Sequence, residues 1–351
     1  MWEMRRMGDG RAEVEKLLEE IMRERGALPK DLHITRICCA LVAISEGEII
    51  KMTSPKLRYC PFRTSTYTGD LVKGIDDLSP EEKVIATIKQ KICRFGHFTS
   101  RREICREDIS IPYGASEMMM HALKNGGIDA TVTVCDGAGT VITNNPSLVQ
   151  GIGARMTGIF YTSPIKEVIE AIEKAGGRVL FPENAKIDQL KGLEKALELG
   201  YRKPAVTING FAGEDLKSFR DLEERMDAHV TSLVVCTTSV SKQRAEEIGK
   251  YADLAWGCAS LYVREIVGRK AKLQLGVKIP VFVLTDRGIN FVSYYSPELK
   301  KHLREEKKYL ISTHKKENVK YERIRIGDFS SYLMEIDELP VRTNDEPKPL
   351  I

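Results

Sequence analysis

The segment Lys203–Cys236, "KPAVTINGFAGEDLKSFRDLEERMDAHVTSLVVC", decides the fold class. Its ends, 204–208 and 230–236, are short apolar runs of the kind that lies buried on both faces of a sheet. Between them, 214–227 reads as an amphipathic helix, so the segment is one strand–helix–strand unit. The same alternation extends outward in both directions. Upstream come a helix near 116–124, a strand at 128–135, a helix at 164–175, a strand at 178–181 and a helix at 187–199. Downstream come a helix at 241–250, a strand at 253–257, a helix at 259–268 and a strand at 279–285. About six short strands rich in Val and Leu predict an α/β fold with a mainly parallel, doubly wound, Rossmann-like sheet. Eight regular units are not visible, which leaves an incomplete α/β barrel as the alternative.

Residues 1–110 read as an N-terminal α+β region. "DGRAEVEKLLEEIMRERG" places Val14, Leu17, Leu18, Ile21 and Met22 on one helical face, and "HITRICCALVAISEGEIIKM" reads as two strands joined at Glu46-Gly47. An irregular stretch ending in "YCPFRTSTYTG" follows. In "SPEEKVIATIKQKICRFG", Ser79 as N-cap, Pro80 as first residue and Glu82 form a capping box, with Val84, Ile85, Ile88 and Ile92 facing inward. The core domain is expected over 111–295. A charged helical region and an extended tail are expected over 296–351.

The 351 residues are 42% hydrophobic and 30% charged, enough for a full core. Lys and Arg total 54 against 50 Asp and Glu, and this balance is spread along the chain, which disfavours nucleic acid as a partner. Neither a signal-peptide core nor a run of about 18 apolar residues is present, so the expectation is a cytoplasmic protein off the membrane. The eight cysteines show no repeating spacing, which favours reduced thiols over a disulfide framework. The six histidines lack any ligand spacing. His97 in "CRFGHFTSRRE", near Arg101 and Arg102, reads as a surface histidine, Cys38 and Cys39 as neighbours on opposite faces of a strand, and Met118, Met119 and Met120 as helix core.

Ligands in open α/β sheets gather outside the carboxyl ends of the strands. There "IDATVTVC" runs into Asp136-Gly137-Ala138-Gly139-Thr140, whose glycines permit positive φ and close approach to the main chain. Asn145 caps a helix opening at Pro146, which turns backbone N–H groups toward an anion, and Arg155 adds a planar charge. Gly137, Gly139, Thr140, Asn144, Asn145 and Arg155 are therefore expected to bind an anionic small molecule, a phosphate or carboxylate. A tight turn without a ligand is the alternative. Cys135, Cys236 and Cys258 end or follow three strands, and Cys60 before Pro61 can enter from the first domain. Together they suit a soft transition metal or a nucleophile, or else simple burial. A helix beginning near Ala259 would lower the pKa of Cys258.

The stretches "YCPF", "YGASEMMMHALKNGGIDATVTVCDGAGTVITNNPSLVQGIGARMTG", "SPIKEVIEAIEKAGG", "YADLAWGCAS", "REIVG", "LGVKIPVFVLT" and "PKPLI" resemble the methanogenesis marker protein 8 family of methane-producing archaea. The resemblance spans roughly Tyr59 to Thr285 and the tail, and marks Cys60, Asp136, Gly137, Gly139, Thr140, Asn144, Asn145 and Cys258. It implies an association with methanogenesis but transfers no catalytic residue. Two functions are compatible with it. One is a maturation or assembly factor for a cofactor or a client enzyme such as methyl-coenzyme M reductase, with the charged segment near Lys300 to Lys320 as its surface. The other is a transferase-like cofactor-biosynthetic enzyme with Asp136 as acid/base and Cys258 as nucleophile. Self-association into a homo-oligomer is compatible with either.

Overall fold

The computed structural model describes residues 9–61, 78–109, 111–304 and 306–351; most of the stretch expected to be irregular, from residue 62, lies outside them. Fifteen strands are described: β1 His33–Ile37, β2 Ala40–Ser45, β3 Glu48–Met52, β4 Ala130–Cys135, β5 Gly139–Thr143, β6 Ile159–Thr162, β7 Arg178–Val179, β8 Pro204–Asn209, β9 Thr231–Val235, β10 Leu254–Trp256, β11 Leu273–Leu275, β12 Val281–Val283, β13 Lys308–Ser312, β14 Tyr321–Ile326 and β15 Phe329–Ile336. They form a small sheet, β3-β2-β1-β6, and an eleven-stranded sheet, β14-β15-β13-β11-β12-β10-β9-β8-β4-β5-β7.

The alternation around Lys203–Cys236 builds the middle of the large sheet, where β4, β8, β9 and β10 are parallel neighbours. From β4 the chain first runs out to β5 and β7 on one side, then returns to β8, β9 and β10 in spatial order on the other. Right-handed crossovers that advance in one direction place their helices on one face. Accordingly Gln189–Glu198, Leu216–Arg225 and Lys242–Tyr251 share one core, in which Leu193, Phe219 and Ile248 pack with Val206, Ile208 and Val234. The other face is covered by Ala115–Lys124 and Asp286–Tyr295, whose Met118, Met119, Phe291 and Val292 pack with Ala205, Leu233 and Leu254.

Two corrections to the expected fold follow. The sheet is mixed rather than mainly parallel, with six antiparallel and four parallel pairings among the described strands. Strand order does reverse at β4, with β5 and β7 on one side and β8, β9 and β10 on the other, but β5 is antiparallel to β4, so the sheet departs from an all-parallel doubly wound one. The open order from β14 to β7 is not a barrel. Region 296–351 is not chiefly helical, since β13, β14 and β15 occupy it. Tyr321, Glu322, Arg323 and Arg325 of β14 point to solvent, and that run of exposed charge has the composition of a helix surface.

The small sheet is buried on both faces. The helix Asp9–Arg25 brings Val14, Leu17 and Ile21 against Ile34 and Leu41, while Pro80–Phe95 brings Val84, Ile88 and Ile92 against Ile37, Val42 and Ile44. The latter helix carries the expected capping box at Ser79 and Glu82, and ends on Gly96 at φ 66°. Cys38 and Cys39 are not mid-strand. Ile37 pairs with Ala40, so the two cysteines form a two-residue hairpin turn at φ 50° and 68°. Such turns are usually announced by Asn-Gly, a signal absent here. The strand β6 leaves the core region to pair with β1. Among the described residues no helix is long and apolar enough to cross a membrane.

The expected loop 136–145 contains β5, antiparallel to β4, with Cys135 opposite Gly139. Gly139 sits at φ 69°, and a Cβ there would lie 2.1 Å from the Ala185 carbonyl oxygen. Gly139→Ala should therefore destabilise the protein by roughly 2–4 kcal/mol, combining left-handed strain with overpacking. A shift in the urea midpoint corresponding to less than about 1 kcal/mol would contradict that packing.

Candidate functional site

A cleft of about 570 Å³ lies between the two sheets, at the carboxyl ends of the parallel strands. Thr133 and Val134 of β4, Asn209 of β8, Cys236 after β9 and Trp256 of β10 reach it from one side. Arg36, Ile37, Cys38 and Cys39 reach it from β1 and its turn. The cleft opens beside the reversal of strand order between β4 and β8, and the small sheet forms its opposing wall.

Five of the eight cysteines, Cys38, Cys39, Cys60, Cys236 and Cys258, line this cleft. Cys236 and Cys258 bend away from their strands at φ 56° and 41°, backbone that non-glycine residues seldom adopt. Gly158 makes room for the first of them, since a Cβ there would stand 2.7 Å from Cys236 Sγ. Burial pushes the thiols upward, to about 11 at Cys39 and about 12 at Cys236. Burial also raises Cys258, opposed by hydrogen bonding with Thr237 and Thr238. The expected acidification of Cys258 by a following helix is therefore corrected: desolvation outweighs it, and all three groups are protonated thiols at neutral pH.

Cys135 does not join them. It is fully buried in a separate core with Ile152 and Ile172, and its Sγ contacts the Asp136 carbonyl oxygen at 3.3 Å. Among the described residues no three His, Cys, Asp or Glu side chains are grouped so as to hold a metal ion. The expected four-thiol set Cys60, Cys135, Cys236 and Cys258 is thus not assembled.

Asp136 lies behind the cleft and outside its lining. Its carboxylate accepts the Phe98 N–H at 2.6 Å and Arg102 Nε–H at 2.9 Å, and Arg102 Nη2 donates to the Gly151 and Ile152 carbonyls at 3.0 Å each. Burial opposes ionisation here, yet Arg102 and the Phe98 N–H hold Asp136 well below the usual carboxylate range. A carboxylate so held does not exchange protons near neutrality, which removes Asp136 as acid/base. His97 is fully buried, not on the surface, with Nδ1 3.6 Å from Asp136 Oδ2, too far for a hydrogen bond. Burial and Arg102 press its pKa down to about 3, so the ring is neutral.

The residues expected to receive an anion are occupied within the fold. The Gly137 N–H donates to Thr162 Oγ1 at 2.8 Å, Ala138 N–H to Cys135 O, and Thr140 N–H to Lys186 O. Thr140 Oγ1 accepts the Asp188 N–H and contacts Gln189. Asn145 does cap the helix Pro146–Gly153, but its own Oδ1 takes the Ser147 and Leu148 N–H groups. Asn144 is exposed and outside the cleft. Arg155 lines the cleft and bonds Asp108 at 3.0 Å.

Two cations that pattern reading passed over stand nearer the chemistry. Arg36 follows Ile34 on one face of the fully buried strand "HITRI", and Lys91 lies on the inward stripe of its helix with Val84 and Ile88. A charge inside an apolar stripe was the available signal for both. Lys91 is fully buried, and its Nζ donates to Thr157 Oγ1 at 3.3 Å on the cleft wall. Burial pushes its pKa to about 7, with Asp136 opposing and Arg102 assisting.

Residues 33–294 match the family model described as "Uncharacterized protein conserved in archaea (DUF2099)". The chain is also 38% identical over 312 residues to "Uncharacterized protein MJ0054" of Methanocaldococcus jannaschii, covering 89% of this chain and 96% of that protein. No solved structure matches.

Asp136→Asn leaves Arg102 as an unpaired buried cation and should cost roughly 3–5 kcal/mol in unfolding free energy. Lys91 gives a pH signature. With a folded value near 7 against 10.5 ordinarily, the unfolded chain binds more protons between these values, so stability at this site rises with pH across that window. Lys91→Met should therefore be more stable than the parent below pH 7 and lack that rise. Parallel urea curves for parent and variant from about pH 6 to about pH 9.5 would refute the assignment.

Proposed function

The chain belongs to the DUF2099 family of proteins conserved in archaea, and on that premise we propose that it binds and hands on a cofactor-sized organic molecule in the cleft between its two sheets. The observation that carries this reading is the cleft itself. It has the volume of small-molecule sites, stands at the strand ends where α/β proteins place ligands, and collects five thiols on an otherwise largely apolar wall. A handling role is favoured over catalysis because the two groups suited to chemistry are unavailable for it. Asp136 is locked to Arg102, and burial keeps Cys258 a thiol. The resemblance to methanogenesis marker protein 8 supports a setting in methane metabolism, where a maturation factor would serve a client such as methyl-coenzyme M reductase.

Native mass spectrometry of the protein purified without oxygen from an archaeal host should show a mass above that of the bare chain, lost on denaturation. A small-molecule extract of the same cells should raise the melting temperature of the bare chain. A bare mass together with an unmoved melting temperature would overturn the proposal.

A further inference from the structure

Resting on the reading of the cleft as a ligand site, we propose that its occupant is an organic anion with an apolar body, and that Arg36 is the anchor for the anionic group. Arg36 is 8% exposed at the end of β1 and lines the cleft. Of the five N–H donors of a guanidinium, one Nη1 hydrogen goes to the Thr238 carbonyl at 2.8 Å and one Nη2 hydrogen to Ser239 Oγ at 2.7 Å. The Nε–H is buried without an acceptor. One face of the guanidinium lies 3.7 Å from the centre of the Phe211 ring.

Among the described residues no carboxylate pairs with this cation. Glu13 and Glu15 on the first helix are exposed, and Glu13 stands 4.0 Å from Lys56. Glu117 accepts from Ser116 Oγ, and Glu214 accepts the Gln189 N–H. The groups whose charge Arg36 feels most directly are Cys39, Glu13, Cys236 and Cys258, and burial keeps the three thiols protonated. A guanidinium cannot shed its proton to escape burial. Cation–π contact with Phe211 offsets only part of the desolvation cost, and a buried charge is ordinarily paired. The missing partner is therefore an anion delivered from the cleft. The remaining wall, with Ile37, Leu57, Met119, Val134, Phe160 and Trp256, gives that anion an apolar body.

The test uses two dyes with the same aromatic frame, 8-anilinonaphthalene-1-sulfonate and its uncharged counterpart N-phenyl-1-naphthylamine, titrated by fluorescence into the full chain. The sulfonate should bind about 10- to 100-fold more tightly, the range expected of hydrogen bonds to a charged group. Arg36→Met should erase that preference while leaving the neutral dye's affinity unchanged. Arg36→Lys, which keeps the charge but loses the planar fork, should retain part of it. Equal affinity of the parent for the two dyes overturns the anchor and needs no variant to fold. A preference that survives in Arg36→Met, with circular dichroism unchanged, overturns it too; both results leave the cleft as a neutral-ligand site. Failure of the parent to bind either dye removes the anchor and counts against the ligand-site reading as well.

Discussion

The ion pair between Asp136 and Arg102 is the contact on which the arrangement of the two sheets depends. Asp136 ends the parallel block of the large sheet, while Arg102 and the Phe98 N–H belong to the segment that follows the helix packed on the small sheet. Through Arg102 the same pair reaches the last carbonyls of the helix Pro146–Gly153. Three segments distant in sequence are thus held at one point inside the protein. A buried pair gains its strength from low dielectric only if all its remaining donors and acceptors are satisfied, and the two backbone carbonyls and the Phe98 N–H serve that purpose.

The cleft is apolar over much of its wall, and its charged lining is balanced, Arg11, Arg36 and Arg155 against Glu15, Glu117 and Glu214. Arg36 stands on its lining and Lys91 one layer behind, beside Thr157. The thiols between them contribute soft, polarisable surface without charge while they remain protonated. Such a wall accommodates a polarisable organic molecule better than it does a hard, hydrated ion.

Much of the core was legible in the sequence because its helices and strands are regular and buried where pattern rules apply. The strand–helix–strand unit around Phe219 and the capped helix at Ser79 are examples. The mixed pairing of the sheet was not legible, because identical periodicity fits parallel and antiparallel neighbours, and no local residue records which neighbour a strand selects. The C-terminal strands were hidden by exposed charge, and the Cys38-Cys39 turn by its lack of turn residues. In the site, the strand ends pointed to Cys236 and Cys258 and the step before Pro61 to Cys60, and all three line the cleft. The glycines of 137–139 misled, because positive φ there serves a hairpin packed against Ile165 and Ala185. Arg36 and Lys91 went unread because a single charge in an apolar stripe carries no spacing motif.

The pairing of β1 with β6 bears on how the protein is made. His33 hydrogen-bonds Thr162 across 129 residues of chain. On a ribosome, where synthesis proceeds at about 5–20 residues per second, the first hairpin therefore waits several seconds for the strand that completes its sheet. Until then one edge of β1 has no partner, and the cleft has only one of its walls. Formation of the cleft is thus tied to the emergence of β6, and beyond it to the strands that build the opposite side.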